Sequence, residues 1–134
     1  MSPAAGPYSP ALRVDDWVVT SGQLGVVTGP DGSPVLVEGG TVGELRQALA
    51  NLAEVLATEG ATLEDVRKTT VFLVDLGDFG ALNEVWVEVF GTNRPTRSAV
   101  GVAALPLGAL VEVEAWAHTS RRWVPSSDPS APAV

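Results

Sequence analysis

The sequence predicts a single α+β domain, a mixed sheet with two helices packed on one of its faces. Three observations carry that reading. Two segments, after Thr41 and after Asp78, repeat apolar residues at helical spacing, whereas the segments around them alternate or run β-branched. Their order along the chain is strand, strand, helix, strand, helix, strand, strand. At 134 residues, 46% apolar and 18% charged, the chain is long enough to bury one core without staples. Residues 1–118 form that domain. Residues 119–134 change to Ser, Pro, Ala and Arg with only Trp123 and Val124 clustered, the composition of a flexible tail.

Taken in order, residues 1–10 are rich in Pro, Ala, Gly and Ser and place the one tyrosine, Tyr8, beside the rigid Gly6-Pro7. Tyr8 reads either as anchored there or as part of a mobile terminus. A short strand from Asp16 ends at Ser21-Gly22-Gln23, resumes over 24–28, and turns at Gly29-Pro30-Asp31-Gly32. Gly22 marks a bulge or a close approach to the backbone, with a bulge favoured. Thr41 and Glu44 have capping-box spacing and open a helix with apolar residues at 42, 45, 49, 52 and 56, closed by Gly60. Residues 66–76, with Thr69, Thr70, Val71 and Val74, read as a central strand. Asp78 is a candidate cap for a second helix over 79–90, with Phe79, Leu82, Trp86 and Val89 as its stripe. Asn83 lies mid-helix, either solvated, which the pattern favours, or bonded to a neighbouring element.

The last two strands are expected over 100–105 and 109–117, joined as a hairpin by Pro106-Leu107-Gly108. Alternation puts Leu110, Glu112, Glu114 and Trp116 on one face and Val111, Val113, Ala115 and Ala117 on the other. Helices cover only one side of such a sheet, so the face with Leu110 and Trp116 is expected to be buried by self-association.

Composition closes several routes. The chain has no cysteine, which removes disulfides, thiolate metal sites and a cysteine nucleophile. Its one histidine, His118, cannot build a zinc site alone. A net charge of −8 opposes binding to nucleic acid, since only Arg67-Lys68 and Arg121-Arg122 pair basic residues. No stretch is apolar enough for a membrane span and no targeting pattern opens the chain, so a cytoplasmic protein is expected. What remains is arginine and carboxylate chemistry. Arg97 can bind a substrate carboxylate bidentately and Glu112 can orient or deprotonate a water, a pairing that suits small 2-oxo or 2-imino acids. The competing reading makes Arg97 and Glu112 a structural ion pair across adjacent strands, and spacing alone favours it.

Gly6-Pro7-Tyr8, Thr20-Ser21-Gly22-Gln23, Lys68-Thr69-Thr70-Val71-Phe72-Leu73 with Asp75-Leu76 and Asp78-Phe79, then Asn83, Arg97-Ser98, Leu105-Pro106 and Val111-Glu112-Val113-Glu114-Ala115 follow one another in fixed order. Together they resemble the Rid (reactive intermediate deaminase), or YjgF-like, family over residues 6–117. The resemblance implies a chorismate-mutase-like fold, a homotrimer closed by packing sheets into a barrel, and clefts between subunits. It implies hydrolysis of enamines and imines such as 2-aminoacrylate and 2-iminopropanoate to 2-oxo acids and ammonium, with no metal or organic cofactor. Residue by residue, Arg97 matches the carboxylate clamp, Glu112 the group that positions the attacking water, and Tyr8, Ser21 and Asn83 other substrate-binding positions. Ala99 stands where the family commonly has cysteine, the loop over 91–96 is shorter, and Thr96 replaces the usual alanine. A second class, a trimeric module that binds a carboxylate metabolite without turning it over, and a biosynthetic enzyme on the same fold stay open. An endoribonuclease ranks below both, because this acidic chain offers no clear basic groove.

Overall fold

The computed structural model describes residues 6–123. Its elements are β1 (Ala11–Val14), β2 (Trp17–Thr20), β3 (Gln23–Leu24), β4 (Val26–Thr28), β5 (Pro34–Leu36), α1 (Gly40–Ala57), β6 (Val66–Leu73), α2 (Phe79–Phe90), β7 (Thr96–Gly101) and β8 (Val111–His118). The main sheet has the order β1-β2-β8-β6-β7, with β3 pairing to β8, and β4 and β5 form a separate hairpin. Only β6 and β7 are parallel, so the sheet is mixed. The α+β prediction holds.

Both helices share one core with one face of the sheet. Leu45, Leu49, Leu52 and Leu56 of α1 and Leu82, Val85, Trp86 and Phe90 of α2 pack with Val18, Val71, Leu73, Val111, Val113, Ala115 and Ala117. The four α1 leucines are at most 1% exposed, so a leucine-to-alanine change at any of them costs about 2–5 kcal/mol. Asn51, buried in the same helix, donates to the carbonyls of Leu24 and Val26 and so ties β3 and β4 to α1. The opposite face keeps Leu12, Val14, Trp17, Val100 and Trp116 exposed. Among the described residues, no helix is long and apolar enough to cross a membrane.

Several local expectations are corrected. The strands after Arg97 are not a hairpin: β6 lies between β7 and β8, paired parallel to the first and antiparallel to the second. The cause is α2, whose crossover delivers β7 to one edge of β6 and leaves the other edge for β8. Residues 102–110 carry the chain back past the end of β6, where Val102 donates to Leu73 and Val74 to Leu110. Thr41 and Glu44 form no capping box, because α1 already starts at Gly40. Their side chains make tertiary bonds instead: Thr41 Oγ1 donates to Asp78 and Glu44 accepts from the Leu110 N–H. Asp78 therefore caps nothing with its side chain, although α2 begins and ends where predicted. Phe79 of the predicted stripe is exposed, and Val85 and Phe90 are buried with Leu82 and Trp86.

β1 and β5 have no counterpart among the strands predicted from sequence. In β1, Arg13 points to the helix side, where an apolar residue would have announced a strand. Its guanidinium donates to the carbonyls of Glu59, Thr119 and Arg121. The segment after β8 is held as well: Arg121 pairs with Asp65, Arg122 with Asp16, and the chain passes over Gly60. A Cβ on Gly60 would lie 2.7 Å from the Arg122 carbonyl carbon. The predicted tail thus begins with bonded residues, and its part over 124–134 lies outside the described residues.

Candidate active site

Arg97 sits near the start of β7 beside Thr69 of β6. Thr69 is fully buried, so the shared pleat aims Arg97 toward the helix side of the sheet. There the guanidinium stacks 5.1 Å from the Trp86 ring and donates to Asn83 Oδ1 at 2.8 Å. Asn83 is therefore bonded to a neighbouring element, not merely solvated. Two hydroxyls fix the strand that carries Arg97: Thr69 Oγ1 donates to the Thr96 carbonyl at 2.7 Å and Thr96 Oγ1 to the Arg67 carbonyl at 2.9 Å. Asn83, Trp86, Val87, Arg94, Pro95 and Arg97 line a cleft of about 540 Å³. Partial burial lowers the Arg97 pKa, because the guanidinium has lost part of its water.

Glu112 lies elsewhere. It is opposite Phe72 of β6, on the face away from the helices, while its neighbours Val111 and Val113 are fully buried on the helix side. Arg97 and Glu112 are two strands and three residues apart, roughly 14 Å between Cα atoms, and they point to opposite faces. No ion pair joins them, so the structural-pair reading fails. Burial, with Glu114 as a lesser cause, raises the Glu112 pKa above the ordinary carboxylate range.

Around Glu112 the chain is irregular. Thr20, Ser21 and Gly22 lie between the registers Val19 to Trp116 and Gln23 to Val113, whereas only Glu114 and Ala115 separate them on β8. The extra residue is the predicted bulge. The close approach is present too: a Cβ on Gly22 would lie 2.6 Å from Glu112 Cδ. Ser21 Oγ donates to the Ser9 carbonyl at 2.6 Å, which fixes the segment carrying Tyr8 beside the bulge. One chain therefore holds two groups of candidate residues, Arg97 with Asn83 and Glu112 with Ser21 and Tyr8. Trp86 and Arg94 join the first group only in the structure, because in sequence Trp86 reads as an ordinary core aromatic and Arg94 as a loop charge.

The model of the family described as Endoribonuclease L-PSP matches residues 1–119. The chain belongs to this family, the Rid or YjgF-like proteins. Among Rid relatives, a mouse protein named 2-iminobutanoate/2-iminopropanoate deaminase is 48% identical over 115 residues, 85% of this chain and 83% of the relative. A human protein of the same name is 45% identical over 112 residues, 84% of this chain and 80% of its own. Among solved structures, RidA from an Antarctic Psychrobacter superposes with a TM-score of 0.79 at 40% identity, covering 87% of this chain and 92% of that one. Escherichia coli TdcF with bound serine gives 0.76 at 35% identity, covering 87% and 91%. The Rid resemblance read from the ordered motifs is borne out.

Proposed function

We propose that this Rid-family protein hydrolyses small 2-imino and 2-enamino acids to 2-oxo acids and ammonium, in clefts between neighbouring copies of a homotrimer. The observation that carries the reading is the separation of Arg97 from Glu112. Each is partly desolvated, neither neutralises the other, and their opposite faces require a second copy to bring a clamp and a base to one substrate. The relatives' deaminase names support the reaction, and the exposed apolar sheet face supports the assembly.

In this mechanism the Arg97 fork holds the substrate carboxylate, with Asn83 and Trp86 fixing the guanidinium plane. Glu112 of the adjacent copy takes a proton from water as the oxygen attacks C2 of the protonated imine, giving a carbinolamine. Glu112 then gives that proton to the carbinolamine nitrogen, the C–N bond breaks and ammonia leaves as the C2 hydroxyl passes its own proton to Glu112 and becomes the carbonyl, and that last proton leaves with ammonia as ammonium. An enamine enters by gaining a proton at C3 to become the imine. A raised pKa makes Glu112 a stronger base than an ordinary carboxylate, which suits it to this transfer. Tyr8 and Ser21, on the segments tied together next to the Gly22 bulge that abuts Glu112, are assigned the bounding of the substrate on that side. A site of this kind in a soluble metabolic protein fits a cytoplasmic setting.

A metabolite-binding module has less support, since a binder of anions gains nothing from a desolvated acid beside its ligand. The experiment is ammonia release from enzymatically generated 2-iminopropanoate, with sedimentation of the same sample. Near-normal hydrolysis by Arg97→Ala overturns the catalytic assignment, and a species of about 14 kDa alone at micromolar concentration overturns the trimer.

A further inference from the structure

The cleft that holds Arg97 contains a second cation. Arg94 lines it together with Arg97 and the apolar Trp86, Val87 and Pro95. Its Nε donates to the Gly91 carbonyl at 2.7 Å, which anchors the guanidinium at the end of α2. Among the described residues no carboxylate lies within ion-pair distance of Arg94 or Arg97. Arg13 and Arg67, which among those residues also lack a carboxylate, bond backbone carbonyls through their guanidiniums, whereas Arg94 and Arg97 line one cleft together. Two like charges facing one cleft repel each other, and a single carboxylate relieves only one of them. A dianion relieves both.

We propose that Arg94 is a specificity residue that directs the site toward 2-imino dicarboxylic acids, the imines formed by two-electron oxidation of acidic amino acids. The inference rests on the deaminase reading for its reaction, though the recognition stands on the cleft alone. Arg97 takes the carboxylate next to the imine carbon, and Arg94 takes the distal one. The two arginines are three positions apart, at most about 10 Å along extended chain. Both side chains line the one cleft, and a four- or five-carbon diacid is the ligand whose two carboxylates suit two cations so spaced. The apolar lining of Trp86, Val87 and Pro95 suits the methylenes between the carboxylates.

The test compares two imines and two stable acids on the full chain, for the wild type, Arg94→Gln and Arg94→Lys. Imines of aspartate and alanine are generated in situ with amino-acid oxidases, and kcat/KM is taken from imine loss. In parallel, calorimetry gives Kd for 2-oxoglutarate and for 2-oxobutanoate. The expected wild type prefers the diacid in both measurements. Arg94→Gln is expected to cut that preference about tenfold or more, and Arg94→Lys to retain part of it. A preference unchanged to within about twofold in Arg94→Gln overturns the assignment. So does loss of assembly on sedimentation of Arg94→Gln with the preference intact, which makes Arg94 a contact between copies. If neither imine is hydrolysed while the diacid preference in binding is present and depends on Arg94, the specificity role stands and the deaminase reading falls. Hydrolysis of the alanine imine without any diacid preference overturns the specificity role and leaves the deaminase reading standing.

Discussion

Arg97→Lys keeps the positive charge and loses the planar fork that engages both carboxylate oxygens. It should lower kcat/KM for 2-iminopropanoate by roughly thirty- to a thousand-fold, the equivalent of about 2–4 kcal/mol, with the melting temperature little changed. Steady-state kinetics beside a thermal melt checks both halves. Glu112 gives a second contrast, because its pKa is raised in the folded protein. The native state binds that proton more tightly than the unfolded chain, so ionising Glu112 destabilises the fold as pH rises through the window above the ordinary carboxylate pKa. Glu112→Gln should therefore abolish hydrolysis yet melt above the wild type at neutral pH, and the gap should close in acid below that window. Melts across pH on both proteins decide it. At this scale the motif residues were legible from their order in the chain. The ring beneath Arg97 was not, since a buried tryptophan in a helix stripe carries no mark of which polar group lies against its face.

At the scale of elements, the bulge between β2 and β3 sets where the Glu112 carboxylate rests. Gly22→Ala places a methyl carbon against it and should displace it by about an ångström, costing up to about a hundredfold in kcat. Stability should change little, because the clash falls on the movable end of a side chain. Kinetics and a melt on this one variant distinguish the two effects. The central position of β6 was legible because its β-branched run marks a strand buried in a sheet. The partner of β7 was not, since Pro106 and Gly108 have the chemistry of a hairpin turn whether or not the strands on either side of it pair. Strand neighbours are settled by the crossover through α2, a relation between distant segments that no local pattern records. The same holds for Thr41, Glu44 and Asp78, whose capping chemistry is spent on bonds between elements.

For the whole molecule, the segment after β8 binds three parts of the domain. Arg121 holds Asp65, and the Arg13 guanidinium needs the carbonyls of Thr119 and Arg121. Removing residues 119–134 strands these groups and should lower the melting temperature by more than about 5 °C, read by calorimetry on the truncated chain. Composition pointed the other way, because Ser, Pro and Arg bury little apolar area and nothing in their order says where their polar groups bond. The one-sided sheet was legible from two helices and alternating strands. The expected number of copies entered through family resemblance alone, since exposed Trp116 and Leu12 offer an apolar face without stating how many copies would cover it.

In the proposed trimer, the opposite orientations of Arg97 and Glu112 would make activity a property that two defective proteins can restore to each other. Each cleft of that ring of three would draw its arginine from one copy and its glutamate from the next. A trimer mixing Arg97→Ala copies with Glu112→Gln copies has one cleft in which both donors are intact. Random co-assembly of equal amounts then leaves about a quarter of all clefts working, although neither protein works alone. Co-expression of the two variants, followed by the ammonia assay, should reveal that complementation.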